Sequence, residues 1–216
     1  MNDKIKTSKI SRLRINEFIK DYSTNDLVLE IGAKTEDYGN FFPNSIRLNL
    51  KKYPGISVLA DAQALPFKTC SFSTILCTEV LEHCQDPQKV IDEIFRVLQP
   101  GGTLILTTRF TFPIHDAPDD YFRFTKYGLR LLTKRFSSCT IQEESNAFST
   151  IAILLQRVLL QCEFRSAQRF WTFFLRSLIF IFLKFENIIH LEYGDNLKTY
   201  TDGVCMPSGY YLILKK

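Results

Sequence analysis

Apolar residues along the first two thirds of the chain fall into short unbroken runs that alternate with helical stripes. Leu27, Val28, Leu29 and Ile31 form a run suited to a strand buried on both faces of a parallel sheet, closed by the acid Glu30 and the turn residue Gly32. Further strands are predicted at 45–50, ending at Asn49, at 56–60, leading into Asp61 and Ala62, and at 72–77. Asp86 then supplies a helix N-cap and Pro87 a first helical position, after which Val90, Ile91, Ile94, Phe95 and Leu98 recur on one face. Gln99-Pro100-Gly101-Gly102 stops that helix, and a β-rich fifth strand follows at 103–108. Strands alternating with helical patterns predict an α/β fold built on a parallel sheet.

Such sheets bind ligands in the crevice beyond the carboxyl ends of their strands, which is where Glu30 and Gly32 fall. Gly32 is followed by Ala33, Lys34, Thr35 and Glu36, so neither a G-x-G-x-x-G fingerprint nor a P-loop is present, and NAD and ATP are poor candidates. A second polar cluster lies at 112–125, after the fifth strand, with His115, Asp116, Asp119, Asp120, Tyr121 and Arg123 in one short span. His115 is the candidate catalytic base, because an unperturbed imidazole titrates near working pH. His115, Asp120, Tyr121 and Arg123 are the candidate substrate contacts, Arg123 through its planar fork. The plainer alternative is that Asp119, Asp120 and Arg123 pair to hold the loop. His83 either lines the pocket or, as expected here, only hydrogen-bonds its neighbours.

Residues 27–136 resemble the core of class I S-adenosylmethionine-dependent methyltransferases, of the small-molecule and glycan-modifying, type 11-like branch. The resemblance rests on LVLEIGAK, ADAQALPF, FSTILCTEVLEH, EIFRVLQPGGTLILT and FPIHDAPDDYFRFT taken together. It implies a Rossmann-like, seven-stranded, mostly parallel sheet, with 138–143 as the penultimate strand and 210–214 as a final strand antiparallel beside the fifth. It implies S-adenosylmethionine as cofactor, with Glu30 by the methionine amino end and the Gly32-Ala33-Lys34 turn around the methionyl and ribose parts. Asn49 would reach the ribose hydroxyls, Asp61 and Ala62 the adenine, with Asp61 taking its exocyclic amine, and Thr78 and Glu79 would line the pocket. Two positions depart from the family: Lys34 stands where a glycine is usual, and Asn49 where a carboxylate is usual. A long L side chain costs about a kcal/mol or more if the backbone at Lys34 is left-handed, and Asn49 lacks the charge-assisted bonds of a carboxylate. The implied activity is methyl transfer to a hydroxylated small-molecule, saccharide or lipid-linked acceptor. The rival, motivated by Lys34 and Asn49, is a catalytically degenerate Rossmann-like module that binds a protein partner through apolar helices.

The expected organisation is an N-terminal helix at 1–25, a cofactor-binding core at 26–145, an apolar helical insertion at 146–207 and the last core strand at 208–216. In the first segment Lys4, Lys6, Lys9, Arg12 and Arg14 read as the solvated face of a helix that also carries Ile10, Leu13, Ile15 and Phe18. A net charge of +4 without a nucleic-acid-binding module argues against DNA as partner. Six cysteines without a C-x-x-C indicate neither a disulfide framework nor a metal site, and fit a reducing cytoplasm. The charged N-terminus has no apolar core of signal length. Within the insertion, 151–160 and 170–191 are apolar helical patterns, the second interrupted by Arg176 and Lys184. A spanning helix needs about 20 mostly apolar residues, so the membrane reading is interfacial contact through Trp171 and the phenylalanines, at the inner face of the membrane. A cap on the core and the face of a homodimer are the other uses open to it.

Overall fold

The computed structural model describes residues 10–34, 38–201 and 203–216. Lys4, Lys6 and Lys9, the Thr35 and Glu36 positions of the turn, and the side chains of Arg12 and Leu13 lie outside the described residues.

The seven-stranded, mostly parallel sheet is present, in the order β3-β2-β1-β4-β5-β7-β6. Its centre is β1, Val28–Ile31, buried at all four positions as its apolar run requires. β2, Ser45–Asn49, pairs in parallel on one side of β1, and β4, Phe72–Thr78, on the other. The chain therefore reverses its direction of winding at β1, and the crevice between β1 and β4 is the switch point where such sheets take ligands. β3 is shorter than expected, Val58–Leu59, although Ser57 N and Ala60 N still bond to Arg47 O and Asn49 O of β2.

β5, Leu98–Arg109, is longer than expected. Its pairing with β4 shifts from Phe72↔Leu98 to Thr74↔Thr103, so the Pro-Gly-Gly run is looped out of the ladder, with Gly101 at φ +74°. β7, Gly209–Lys215, lies between β5 and β6, Ser138–Glu143. Gly101 N bonds to Lys216 O at one end of β5 and Phe110 N to Ser208 O at the other, which makes β7 antiparallel to β5 as expected.

Five helices are described. α1 is Ile10–Lys20. In α2, Pro87–Val97, Asp86 accepts a bond from Lys89 N at 3.2 Å, Pro87 opens the first turn, and Val90, Ile91, Ile94 and Val97 are buried. α3 is Lys126–Leu132, capped by Thr125. α4, Ala147–Gln161, and α5, Gln168–Lys184, pack on one another. α5 stops at Lys184 and a 3-10 turn, Glu186–Ile188, follows, so the apolar pattern to 191 is not one helix.

Contacts divide the chain into two compact units. One comprises residues 17–109, 114–142 and 210–216 and contains most of the sheet. The other comprises residues 1–16, 110–113 and 143–209, with α4 and α5. Within the second unit Arg14 is not on a solvated face: its guanidinium donates to Glu186 Oε2 at 2.6 Å, Ser149 Oγ at 3.1 Å and Glu144 O at 3.2 Å. No helix among the described residues is long and apolar enough to cross a membrane.

Candidate functional site

A cleft of about 350 Å³ opens at the carboxyl ends of β1, β2 and β4, a size in the range of small-molecule sites. Gly32 and Lys34 line it after β1, Asn49 and Lys51 after β2, Asp61, Ala62 and Gln63 after β3, and Glu79, Val80 and His83 after β4. Asp116, Asp119 and Tyr121 come from the loop after β5. The first polar cluster thus shares a cavity with part of the second; His115, Asp120 and Arg123 are not among its lining residues.

The β1 turn is held from both sides. Gly32 sits at φ +78°, and a Cβ there would lie 2.2 Å from Val80 Cγ2, so no other residue fits without movement. Gly32 N and Ala33 N both donate to Leu48 O, at 2.9 and 3.1 Å. Glu30, 3% exposed, sits directly opposite Arg47 in the β1–β2 register. Arg47 Nε donates to Glu30 Oε2 at 3.0 Å, and Arg47 Nη2 donates to Lys34 O at 3.0 Å. Glu30 therefore anchors the turn from behind. Lys34 is not among the residues with a left-handed backbone, so the strain expected of a glycine replacement there is absent. Its ammonium pairs with Asp116 across the cleft at 2.5 Å.

Asn49 has a similarly local explanation. Its Nδ2 donates to Ala33 O at 2.7 Å and its Oδ1 accepts from Lys51 N at 2.8 Å. A carboxylate cannot make the first of these bonds, so the amide is what this turn requires. Asp61 lines the cleft and is oriented by Gln63, whose N donates to Oδ1 at 2.8 Å and whose Nε2 donates to Oδ2 at 3.1 Å. Thr78 ends β4, and Glu79 follows with φ +55°, an uncommon conformation for a non-glycine residue, its carboxylate paired with the guanidinium of Arg109.

The loop after β5 is tied to the segment after β4. Tyr121 N donates to Glu82 O at 2.8 Å, and His83 Nδ1 donates to Asp119 O at 2.5 Å. Tyr121 Oη donates to Asp119 Oδ1 at 3.1 Å. The fork of Arg123 pairs with Asp120, with Nη1–Oδ1 and Nη2–Oδ2 both 2.7 Å, the loop-holding pair that the plainer reading expects. Asp120 Oδ2 also accepts from His115 N at 2.9 Å. Burial alone would raise the Asp120 carboxyl, but Arg123 and the His115 amide outweigh it and bring it down to about 2.

His115 packs edge-on against His83, ring centroids 4.7 Å apart. Burial, and then His83, push its imidazole down to about 4 against the opposing pull of Asp120. The ring is thus neutral at pH 7 and a weak base, unlike the imidazole titrating near working pH that the sequence alone suggests. Glu82, fully buried, accepts from Thr108 Oγ1 at 2.8 Å, and its burial raises its carboxyl. Burial likewise pushes the Cys84 thiol up to about 12, which leaves it inert at the cleft wall.

A family model described as "Methyltransferase domain" matches residues 39–106. The chain is 36% identical over 77 residues to the ubiquinone/menaquinone biosynthesis C-methyltransferase of Pasteurella multocida, covering 36% of this chain and 28% of that protein. It is 36% identical over 66 residues to the ubiquinone biosynthesis O-methyltransferase of Psychrobacter cryohalolentis, covering 29% of this chain and 24% of that one. The crystal structure of an S-adenosylmethionine-dependent methyltransferase from Archaeoglobus fulgidus superposes with a TM-score of 0.57 at 14% identity, over 99% of this chain and 97% of that one, which is a likeness of fold. Residues 39–106 thus match a methyltransferase domain, and the sheet has the class I methyltransferase fold. S-adenosylmethionine is the cofactor of that family. The chain spans only about a quarter to a half of the length of the curated relatives it matches.

Of the residues the resemblance points to, Gly32, Lys34, Asn49, Asp61, Ala62 and Glu79 line the cleft. Lys51, Gln63 and Val80 also line it without having been singled out in the sequence. Val80 carried a signal only in hindsight, as the apolar residue that must roof a glycine turn from the far strand.

Proposed function

We propose that this chain transfers the methyl group of S-adenosylmethionine to a hydroxylated small-molecule acceptor with a lipid tail, of the quinone-precursor kind. The observation that carries the reading is the single cleft at the β1–β4 switch point, which joins the Gly32 turn and Asp61 to the polar wall of His83, Asp116, Asp119 and Tyr121. The names of the two quinone-pathway relatives support the acceptor class. In this reading Asp61 accepts from the adenine amine, Asn49 and Lys51 face the ribose, and Gly32 allows the methionyl part to approach the backbone. Glu30 acts through Arg47, as a positioning residue. The sulfonium already carries an activated methyl, so the domain's task is to align the acceptor oxygen and exclude water. His115, neutral at pH 7, stands behind the acceptor wall in the loop after β5 and packs on His83, which lines the cleft. The degenerate-module alternative loses its motive, because Lys34 carries no left-handed strain and Asn49 makes a bond that a carboxylate could not.

Calorimetry with S-adenosylhomocysteine tests the cofactor half. Asp61→Ala is expected to weaken binding by about 1–3 kcal/mol, the loss of one buried hydrogen bond, or about 5- to 150-fold. Unchanged affinity in a folded variant would remove Asp61 from the adenine site.

We also propose that α5 touches the membrane from which such an acceptor would come. Of its 17 residues only Leu175 is buried, while Phe170, Phe173, Phe174, Phe180 and Ile181 are exposed, Phe173 by 73%. An apolar face of that kind marks an interaction surface, and Arg169 and Lys184 at the two ends suit anionic headgroups. The protein is expected to float with anionic liposomes. Phe174→Glu with Ile181→Glu should abolish flotation and leave the fold intact, since both side chains are exposed. Absence of flotation by the unaltered protein would end this proposal.

A further inference from the structure

Glu82, His83 and His115 each bring one ligand-capable atom into a group whose members lie within 4.8 Å of one another. Metal bonds of about 2.0–2.2 Å bring ligand atoms together at roughly 3–4 Å, so small side-chain rotations close this set around an ion. The surroundings fit that use. His83 Nδ1 is committed as donor to Asp119 O at 2.5 Å, which fixes the tautomer and leaves the Nε2 lone pair for a ligand. His115 presents Nδ1 to Asp120 Oδ2 at 3.5 Å. A backbone carbonyl behind the His83 imidazole is an outer partner of the kind that orients histidine ligands in metal centres, and the Asp120 carboxylate lies near the His115 ring without a hydrogen bond to it.

The carboxylate supplies a second, independent observation. Glu82 is 0% exposed; Oε2 is satisfied by Thr108 Oγ1, while the buried Oε1 has no hydrogen-bond partner. A buried carboxylate oxygen without a partner is costly, and a cation beside it removes that cost. All three residues lie in one compact unit, on the 3-10 turn Leu81–His83 after β4 and the loop after β5, so their geometry is set within a single packed body.

We propose that Glu82, His83 and His115 bind one divalent transition-metal ion, with its open coordination positions toward the cleft that His83 lines. Two imidazoles and one carboxylate are a donor set for zinc and its first-row neighbours, and three protein ligands leave room for a water or a substrate oxygen. The metal site stands on the geometry alone; its role rests on the methyltransferase reading. There the acceptor hydroxyl binds the ion, which lowers its pKa, and its proton is released to water through the cleft. The acceptor oxygen then forms the new C–O bond as the methyl C–S bond of S-adenosylmethionine breaks, leaving neutral S-adenosylhomocysteine. Cysteine spacing gave no hint of this site because none of its ligands is a cysteine.

The test is titration of chelator-treated full-length protein with Co²⁺, read by its visible d–d bands, and with Zn²⁺ in competition, alongside S-adenosylhomocysteine calorimetry on the same samples. The unaltered protein is expected to take up one Co²⁺, displaced by Zn²⁺, with no sulfur-to-metal charge-transfer band. Loss of an outer partner alone costs about 10- to 100-fold in metal affinity, so removing a ligand by His115→Ala or Glu82→Gln should cost at least that. His190→Ala, at the exposed histidine outside the cluster, should bind like the unaltered protein. His115→Ala keeps the test open if Glu82→Gln does not fold. No Co²⁺ uptake by the unaltered protein, uptake that survives both substitutions, or a thiolate band would each overturn the site. Metal uptake without S-adenosylhomocysteine binding would instead defeat the cofactor reading and leave the site standing.

Discussion

Gly32→Ala is expected to abolish measurable S-adenosylhomocysteine binding and to lower stability by about 2–5 kcal/mol. The first contribution is conformational: at φ +78° an L residue pays the left-handed penalty, about 1–2 kcal/mol. The second is steric, because the new Cβ falls 2.2 Å from Val80 Cγ2, and overpacking of a tight site costs about 1–3 kcal/mol. The two separate experimentally. Val80→Ala in the Gly32→Ala background should restore the steric part and leave the backbone part, so urea unfolding of the four proteins in the cycle should show strong non-additivity. Additive effects, or a Gly32→Ala variant as stable as the parent, would mean that Val80 does not roof the turn.

The second large effect is expected at Arg47. Arg47→Ala leaves Glu30 buried without its ion-pair partner, and breaking a buried pair from one side costs about 3–5 kcal/mol. Arg47 is 16% exposed in its side chain, so water reaches part of the site and the lower end of that range applies. The double variant Glu30→Gln with Arg47→Ala should recover much of the loss in thermal or urea unfolding, since it removes the stranded charge as well. The turn should remain loosened in the double variant, because the Arg47 bond to Lys34 O is still missing. Cofactor affinity should therefore recover less than stability does. Equal recovery of both would show that the guanidinium serves only the charge.

What was legible in the sequence, and what was not, follows from the distance over which each feature is determined. The β1 run and the Asp86-Pro87 start of α2 depend on neighbours a few residues away, and both appear where the pattern puts them. The Glu30–Arg47 pair depends on β1–β2 register, which periodicity cannot supply, so the sequence placed the acid at the strand end without its partner on the next strand. Arg123 and Asp120 were within reach of a local reading, three residues apart, and they do pair. His83 with Asp119 spans 36 positions, and Arg14 with Glu186 spans 172; only a folded chain brings such partners together. The end of α5 at Lys184 was missed because the apolar stripe continues to Leu191 through a tighter turn that hydrophobicity does not distinguish from a helix.

The placement of Val80 has one more consequence. A single stretch of five residues, 79–83, supplies the Val80 methyl that rests against the Gly32 turn and, two and three positions later, Glu82 and His83 against the loop after β5. The two halves of the cleft are thus neighbours along the chain as well as across the cavity, so a ligand that moved this segment on one side would be linked to binding on the other. Linkage makes any such effect reciprocal: whatever factor a bound cofactor applies to affinity on the acceptor side, occupancy of that side must return to the cofactor.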